Sequence, residues 1–281
     1  MKAVAGAKQS LTAVCSCFKL KRDAYYKYLK RFKKRETVKA QVIEMVKKVR
    51  KEQPRVGGCK LHVALQPSFK EAGLKVGRDC LFDILREYNM LIRRKKATCR
   101  TTYSHHRFYT YKNLVKDMEV TRPNQVWVSD ITYIRTVSGF CYLALITDMY
   151  SRKIVGYDLS DSLELAGCLR ALRRALRAAR PATRLVHHSD RGIQYCSNQY
   201  VEELRKHGIE ISMTEENHCY ENAIAERVNG ILKDEFYLDQ YFYSTSHAFN
   251  AAKNAIEIYN HKRLHLSLGY KTPNMVFENV A

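Results

Sequence analysis

Gln125-Val126-Trp127-Val128-Ser129-Asp130-Ile131-Thr132-Tyr133-Ile134 is the stretch that decides the fold. Its residues alternate with the two-residue period of a half-buried strand, and β-branched and aromatic side chains dominate it. One acid, Asp130, sits in that run. Before it, Pro123 marks a change of character; after it, strand and helix signals alternate. The Ser138-Gly139 turn leads to a second strand, Phe140 to Thr147, and Tyr150-Ser151-Arg152 turns into a third, Lys153 to Leu159. A helix is expected from about Ser162 to Ala179, stopped by Pro181. A fourth strand, Leu185 to His188, precedes a helix from Asn198 to His207 with Ser197 as cap and Gly208 as stop. Ile209 to Met213 gives a fifth strand, followed by helices from Tyr220 to Phe236 and from about Ser246 to Asn260.

Three consecutive strands, then strands alternating with helices, describe an α/β unit with a mixed five-stranded sheet covered on both faces. The order resembles the ribonuclease H-like fold, in which the first strand is central and lies beside the fourth.

Within this frame three carboxylates fall at matching places. Asp130 lies in the first strand, Asp190 closes the apolar run of the fourth, and Glu226 lies in the later helix. At about 100° per residue, Asn222, Glu226, Asn229 and Lys233 share a narrow stripe, opposite Ile224, Val228 and Ile231. The expectation is an apolar face on the sheet and a polar face carrying Glu226, with Asn229 and Lys233 as DNA contacts. Three acids brought together by two strand ends and a helix suit two divalent ions about 3.5–4 Å apart. Carboxylate oxygens favour Mg2+ or Mn2+. Such chemistry needs no protein nucleophile, so Ser129, Ser189 and Cys219 read as packing or supporting polar groups. Asp148, beside a turn, reads as structural. Glu221 suits a helix start, Glu215 and Glu216 a loop. Of His187 and His188, one is expected in the core, and neither is assigned as a ligand.

Charge points to the substrate. The chain carries a net +21. Residues 1–120 hold 30 Lys and Arg against 10 Asp and Glu, a net +20, leaving +1 for the remainder. A polyanion-binding front half follows, and nucleic acid outweighs anionic membrane because no amphipathic helix with Trp or Phe anchors is visible. The longest apolar run, Phe140 to Ile146, is far too short for a membrane span. Nine scattered cysteines without a CxxC pair suit reduced thiols in a cytoplasmic protein.

The front half divides into a basic helix-turn-helix-like segment (1–36), a helical DNA-binding module (37–94) and a linker (95–122), ahead of the catalytic part (123–281). Ser10 caps a short helix, and a turn at Lys19-Leu20-Lys21 precedes a helix from Arg22 to Lys34. In the second module a helix carries Val42, Met45, Val46 and Val49, Lys60 to Leu65 forms another, and Asp79 caps a third from Cys80 to Tyr88. Arg78, Arg86, Arg93, Arg94, Lys95 and Lys96 are candidate phosphate contacts. His105 and His106 read as exposed linker residues.

Several motifs resemble the integrase-core transposases of bacterial insertion sequences, in particular the second-frame product of the IS-three type. They are Trp127-x-x-Asp130-Ile131-Thr132-Tyr133, His188-Ser189-Asp190-Arg191-Gly192, Asn222-Ala223-x-x-Glu226-x-x-Asn229-Gly230-x-Leu232-Lys233-x-Glu235, and the tail Tyr259-Asn260-x-x-Arg263-x-His265-x-Ser267-Leu268-Gly269-Tyr270-x-Thr272-Pro273. The resemblance covers roughly residues 40 to 277. It implies that Asp130, Asp190 and Glu226 are metal-binding DDE acids, that element ends and target DNA are the partners, and that strands are cut and transferred. It also implies an upstream frame to which this one is often fused, and synapsis of two ends makes a homo-oligomer on DNA the expected assembly. Two departures stand out: Glu221 replaces the usual Asp, and the preceding loop, Glu216 to Tyr220, lacks glycine. A non-catalytic transposase-derived DNA-binding protein is the alternative.

Overall fold

Residues 10–93, 108–179, 184–215 and 222–279 are described by a computed structural model of the chain. Two units emerge, Met1–Lys51 with Leu61–Leu91, and Glu52–Lys60 with Ile92–Ala281. In the first, Ser10 caps α1 (Leu11–Cys17) by accepting from the Ala13 amide. The break expected after Lys34 does not occur: α2 runs without interruption from Arg22 to Glu52. No Gly or Pro interrupts those residues, and Lys39 pairs with Glu36 at 2.9 Å across the expected junction. Two further helices follow, α3 (Gly58–Glu71) and α4 (Arg78–Glu87). Gly77, not Asp79, is the cap of α4, and Asp79 lies in its first turn. Val42, Val46, Leu61, Leu65, Leu81 and Leu85 are buried. Lys39 reaches Glu87 at 2.8 Å and ties α2 to α4.

The second unit holds the sheet: β1 (Val126–Thr136), β2 (Gly139–Asp148), β3 (Ile154–Ser160), β4 (Val186–Ser189) and β5 (Glu210–Met213). Its order is β3-β2-β1-β4-β5, antiparallel across β1, β2 and β3 and parallel across β1, β4 and β5. The expected mixed sheet, with β1 central beside β4, is present. Along β1, Trp127 joins the core beneath α5 (Leu165–Ala179) and α7 (Asn198–Lys206). Ile134 joins the opposite core with α8 (Ala223–Glu235) and α9 (Thr245–His261). Odd and even positions therefore face different helix layers, and Asp130 falls on the α8 side. A Cβ at Gly156 would collide with the Ala171 carbonyl, so α5 packs directly on β3. Gly208, at φ +64, ends α7 as expected.

Three parts exceed the sequence reading. A short helix, α6 (Ile193–Cys196), follows β4, and a 3-10 turn (Leu266–Leu268) and α10 (Pro273–Glu278) close the chain. The tail is fastened by Arg263, which is buried and donates to both Glu235 oxygens at 2.9 and 2.7 Å. The second half of the expected linker packs on the sheet: the Leu114 amide donates to Ser212 Oγ at 2.8 Å, and Val115 is buried with Val126 and Val186. Its apolar residues carry no period because they fill an edge rather than line a helix.

Asp148, read as structural, is buried at the end of β2. It accepts from the Asn124 amide (2.7 Å), the Ser151 amide (2.7 Å) and Ser151 Oγ (2.6 Å). Burial pushes its carboxyl above the usual value, and the Ser151 and Asn124 bonds pull it back. Asp148→Ala strands three donors at a corner without water, so chemical denaturation should report a loss of at least about 2 kcal/mol. An unchanged midpoint would contradict this role.

Candidate active site

Register brings the first two acids together. Ser129 of β1 pairs with Ser189 of β4 in the parallel ladder. The next residue on each chain is an aspartate, so Asp130 and Asp190 leave adjacent strands at equivalent positions, where strands stand about 4.8 Å apart. Asp130 Oδ1 accepts from the Ile131 amide at 2.8 Å, and Asp190 Oδ1 accepts from the Gly192 amide at 3.1 Å. Burial raises Asp130 to about 7, the charge of Asp190 adds to the rise, and the Asn229 and Ile131 bonds oppose it.

Glu226 comes from α8, in its first turn and exposed. Its charge also raises Asp130, more weakly than that of Asp190. Among the described residues, no group of three or more His, Cys, Asp or Glu closes to metal-ligand range. Asp130 thus feels the charge of both other acids, that of Asp190 more strongly than that of Glu226.

The amides of α8 differ from the expectation. Asn222 and Asn229 are buried rather than turned to a DNA-facing side. Asn222 Nδ2 donates to the Ser129 carbonyl at 3.0 Å, and Asn229 Nδ2 donates to Asp130 Oδ2 at 2.7 Å. The helix buries an arc centred on Ala225, Val228 and Leu232, so the polar stripe is its rim. One amide each side of Glu226 is therefore fixed to consecutive residues of β1. Asn222 had no assigned role in the sequence, although its spacing from Glu226 and Asn229 placed it on the same stripe.

Lys233 is half-buried on α8. Burial lowers its pKa, Asp130 raises it, Arg135 lowers it and Asp239 raises it. It therefore lies within electrostatic reach of Asp130.

Behind the acids, on the α7 side, Ser129 Oγ meets His187 Nε2 at 2.7 Å and the Tyr200 hydroxyl meets the same nitrogen at 3.0 Å. Burial, with His188 adding to it, pushes His187 down to about 3, so the ring is neutral at ordinary pH. His188 Nδ1 meets Ser212 Oγ at 2.9 Å. Both histidines are core residues.

Arg78 and Arg86 are exposed on α4, bonded to Asp79 (2.9 Å) and Asp83 (2.5 Å). Arg93 is exposed, and Arg94, Lys95, Lys96, His105, His106 and the segment 216–221 with Cys219 and Glu221 lie outside the described residues. Among the described residues, no helix is long and apolar enough to cross a membrane.

Residues 120–219 and 207–273 each match a family described as integrase core domain. A 31 kDa insertion element IS600 protein of Shigella sonnei, described as uncharacterized, is 39% identical over 213 residues, 74% of this chain and 78% of that protein. Transposase InsF for insertion sequence IS3A of Escherichia coli (strain K12) is 33% identical over 197 residues, 69% of this chain and 68% of that protein. Among solved structures, the HTLV-2 integrase catalytic core domain in complex with magnesium is 19% identical, covering 56% of this chain and 98% of that one, with a TM-score of 0.45.

Asp130 carries a cost that can be measured without activity. Folding raises its pKa from 3.8 to about 7, so the native state holds this proton more tightly than the unfolded chain does. That stabilising contribution is complete below pH 3.8 and is lost as pH rises through 7. Asp130→Asn should therefore raise the thermal midpoint at pH 8 by about 4 °C or more, with a gain that shrinks towards pH 4. The Asn229 amide can turn its Oδ1, which has no hydrogen-bond partner among the described residues, onto the new side chain. Equal midpoints at pH 8 would contradict this reading of the site.

Proposed function

The chain belongs to the insertion-sequence transposases of the IS3 type, and we propose that its second unit cuts DNA at the ends of a mobile element and joins the freed strands to target DNA. The observation that carries this reading is the pair Asp130 and Asp190, each the residue after the paired Ser129 and Ser189 of β1 and β4, with Glu226 on the facing helix. Every donor in the set is a carboxylate oxygen, and Asp130 accepts hydrogen bonds from the neutral Asn229 and Ile131 groups. Such a set fits hard divalent cations. Asp130, Asp190 and Glu226 would hold two Mg2+ or Mn2+ ions. When bound, these supply Lewis-acid activation of an attacking water or 3′-hydroxyl and charge neutralisation at the leaving oxygen.

The protein's own part is positioning. Asn229 fixes the rotamer of Asp130, and Asn222 pins the start of α8 to β1. Ser129, His187 and Tyr200 brace the strand from behind with a neutral network, which adds no charge beside the acids. Lys233 offers an ammonium group to the phosphate next to the scissile bond. The basic front half, net +20 over residues 1–120, would carry the DNA, with Arg78, Arg86, Arg93, Arg94, Lys95 and Lys96 on phosphates. Work on two element ends calls for a homo-oligomer on DNA, acting in the bacterial cytoplasm, with the element's first-frame product as a possible fusion partner.

A second reading, a DNA-binding protein that does not cut, is favoured by one observation: among the described residues the three acids do not close into a metal-holding group. Cleavage and joining of labelled element-end DNA with Mg2+ separates the two. The wild-type chain should form cut and joined products, and Asp190→Asn and Glu226→Gln should lose at least about a hundredfold in rate, more than loss of a supporting residue at a metal site costs. DNA retardation should persist in all three with steep salt dependence. Wild-type protein that retards DNA but makes no product would establish the second reading.

A further inference from the structure

The far end of β1 carries a surface that strand cutting does not use. Residues 240–243 run alongside the tip of the β1–β2 hairpin: Phe242 pairs with Thr136, its amide donates to the Arg135 carbonyl at 2.9 Å, and the Val137 amide donates to its carbonyl at 2.9 Å. Phe242 and Thr136 are both buried. Their flanking residues on each segment must then point the other way, as side chains alternate along extended backbone. The outward set is Arg135, Val137, Tyr241 and Tyr243, with Val137 73%, Tyr241 69% and Tyr243 84% exposed. Phe140, 51% exposed, extends it from the other hairpin strand, edge-on to Tyr133.

Each tyrosine ring has one neighbour beside it. The Arg135 guanidinium lies over the Tyr241 ring, 5.6 Å from its centre. Tyr243 stacks on His247, with ring centres 6.0 Å apart and planes 10° from parallel. Exposed tyrosine faces interleaved with cationic groups are the composition that holds unpaired bases, because every base has a stacking face and the cations meet its phosphates. Lys233 of α8 lies within electrostatic range of Asp130 and of Arg135, with Asp239 as an acid in the same range. Arg135 is five residues from Asp130 along β1, about 17 Å, the rise of about five stacked nucleotides; the odd separation sets it on the opposite face of the strand, so DNA from the acids reaches it around the hairpin end.

We propose that Arg135, Tyr241, Tyr243 and Phe140 form a platform that stacks unpaired bases of the DNA strand leaving the carboxylate site. The proposal rests on the cutting and joining function above, and names where the displaced strand goes. Phosphate charge favours nucleic acid over a second copy of the chain, whose matching surface would bring Arg135 and Lys233 against themselves.

The test is photocrosslinking with the full chain in metal-free buffer. The probe is a duplex of arbitrary sequence with a tail of about five unpaired thymidines, one replaced by 5-iododeoxyuridine, matched to the distance above. Irradiation should attach the tail to the tryptic peptide spanning residues 234–253, which contains both tyrosines. The Tyr241→Ala/Tyr243→Ala protein should lose that crosslink about fivefold or more per ring, and Tyr241→Phe/Tyr243→Phe should keep it. A fully paired probe should give little of it.

Asp130→Asn should crosslink like wild type, because no bond is cut. Crosslinking at 234–253 by a chain that never cuts DNA would sustain the platform and sink the function. A chain that cuts DNA while its crosslinks fall elsewhere, or persist in the double alanine variant, would overturn the platform. So would a change of oligomeric state in that variant with crosslinking unaltered, which would assign the surface to a second copy.

Discussion

The parallel pairing of Ser129 with Ser189 sets two aspartates side by side, and much of the second unit serves to hold that arrangement. Two carboxylates at neighbouring strand ends repel, and partial burial makes the repulsion worse because water is not there to screen it. Burial first, and the charge of Asp190 after it, raise Asp130 to about 7. A fold keeps such a conflict only where the surrounding elements force it. Here the forcing elements are a central strand buried on both faces and a parallel neighbour locked between β1 and β5.

The supporting groups are neutral, which follows from the same constraint. A cation beside Asp130 would relieve the repulsion and also compete with whatever positive charge the site is built to take. Amides do neither. Asn229 orients the carboxylate and Asn222 ties the helix to the strand, so Glu226 is carried on an element whose rotation is set from both sides. On the opposite face the His187 ring stays uncharged, shared between Ser129 and Tyr200. Further out, Glu235 and Arg263 join the end of α8 to the C-terminal tail through a buried two-pronged pair. The tail motif thus bears on the placement of α8 without reaching the acids, and breaking one partner of such a pair is costly.

The sheet was readable because alternation in β1 and the apolar runs of β2 and β4 are direct consequences of burial. The caps Ser10 and Ser197 and the stop at Gly208 were readable because each solves one local hydrogen-bonding or backbone problem. The continuous α2 was hidden by a change of composition near Lys34, from basic to apolar-periodic, which alters the helix's neighbours and not its backbone. Residues 111–120 were hidden because an edge-filling segment has no period. At the site, the acids were legible as residues on predicted elements. The inward turn of Asn229 was not: a helical wheel gives angles between side chains and leaves open where the arc begins. Only the β1 carbonyl and carboxylate, one strand away, decide it. The hairpin platform depends on the Thr136–Phe242 pairing, 106 positions apart, which no local pattern announces.

The claim on which the rest stands is that Asp130 and Asp190 share one divalent-cation site. Calorimetric titration of Mn2+ into the full chain at pH 7 measures it directly, in two buffers of different ionisation enthalpy. The account predicts saturable binding with release of protons, because the cation displaces the proton that Asp130 holds at a pKa of about 7. It predicts that Asp130→Asn and Asp190→Asn each abolish both signals. Absence of saturable binding by the wild-type chain, or binding that survives in either variant, would contradict it.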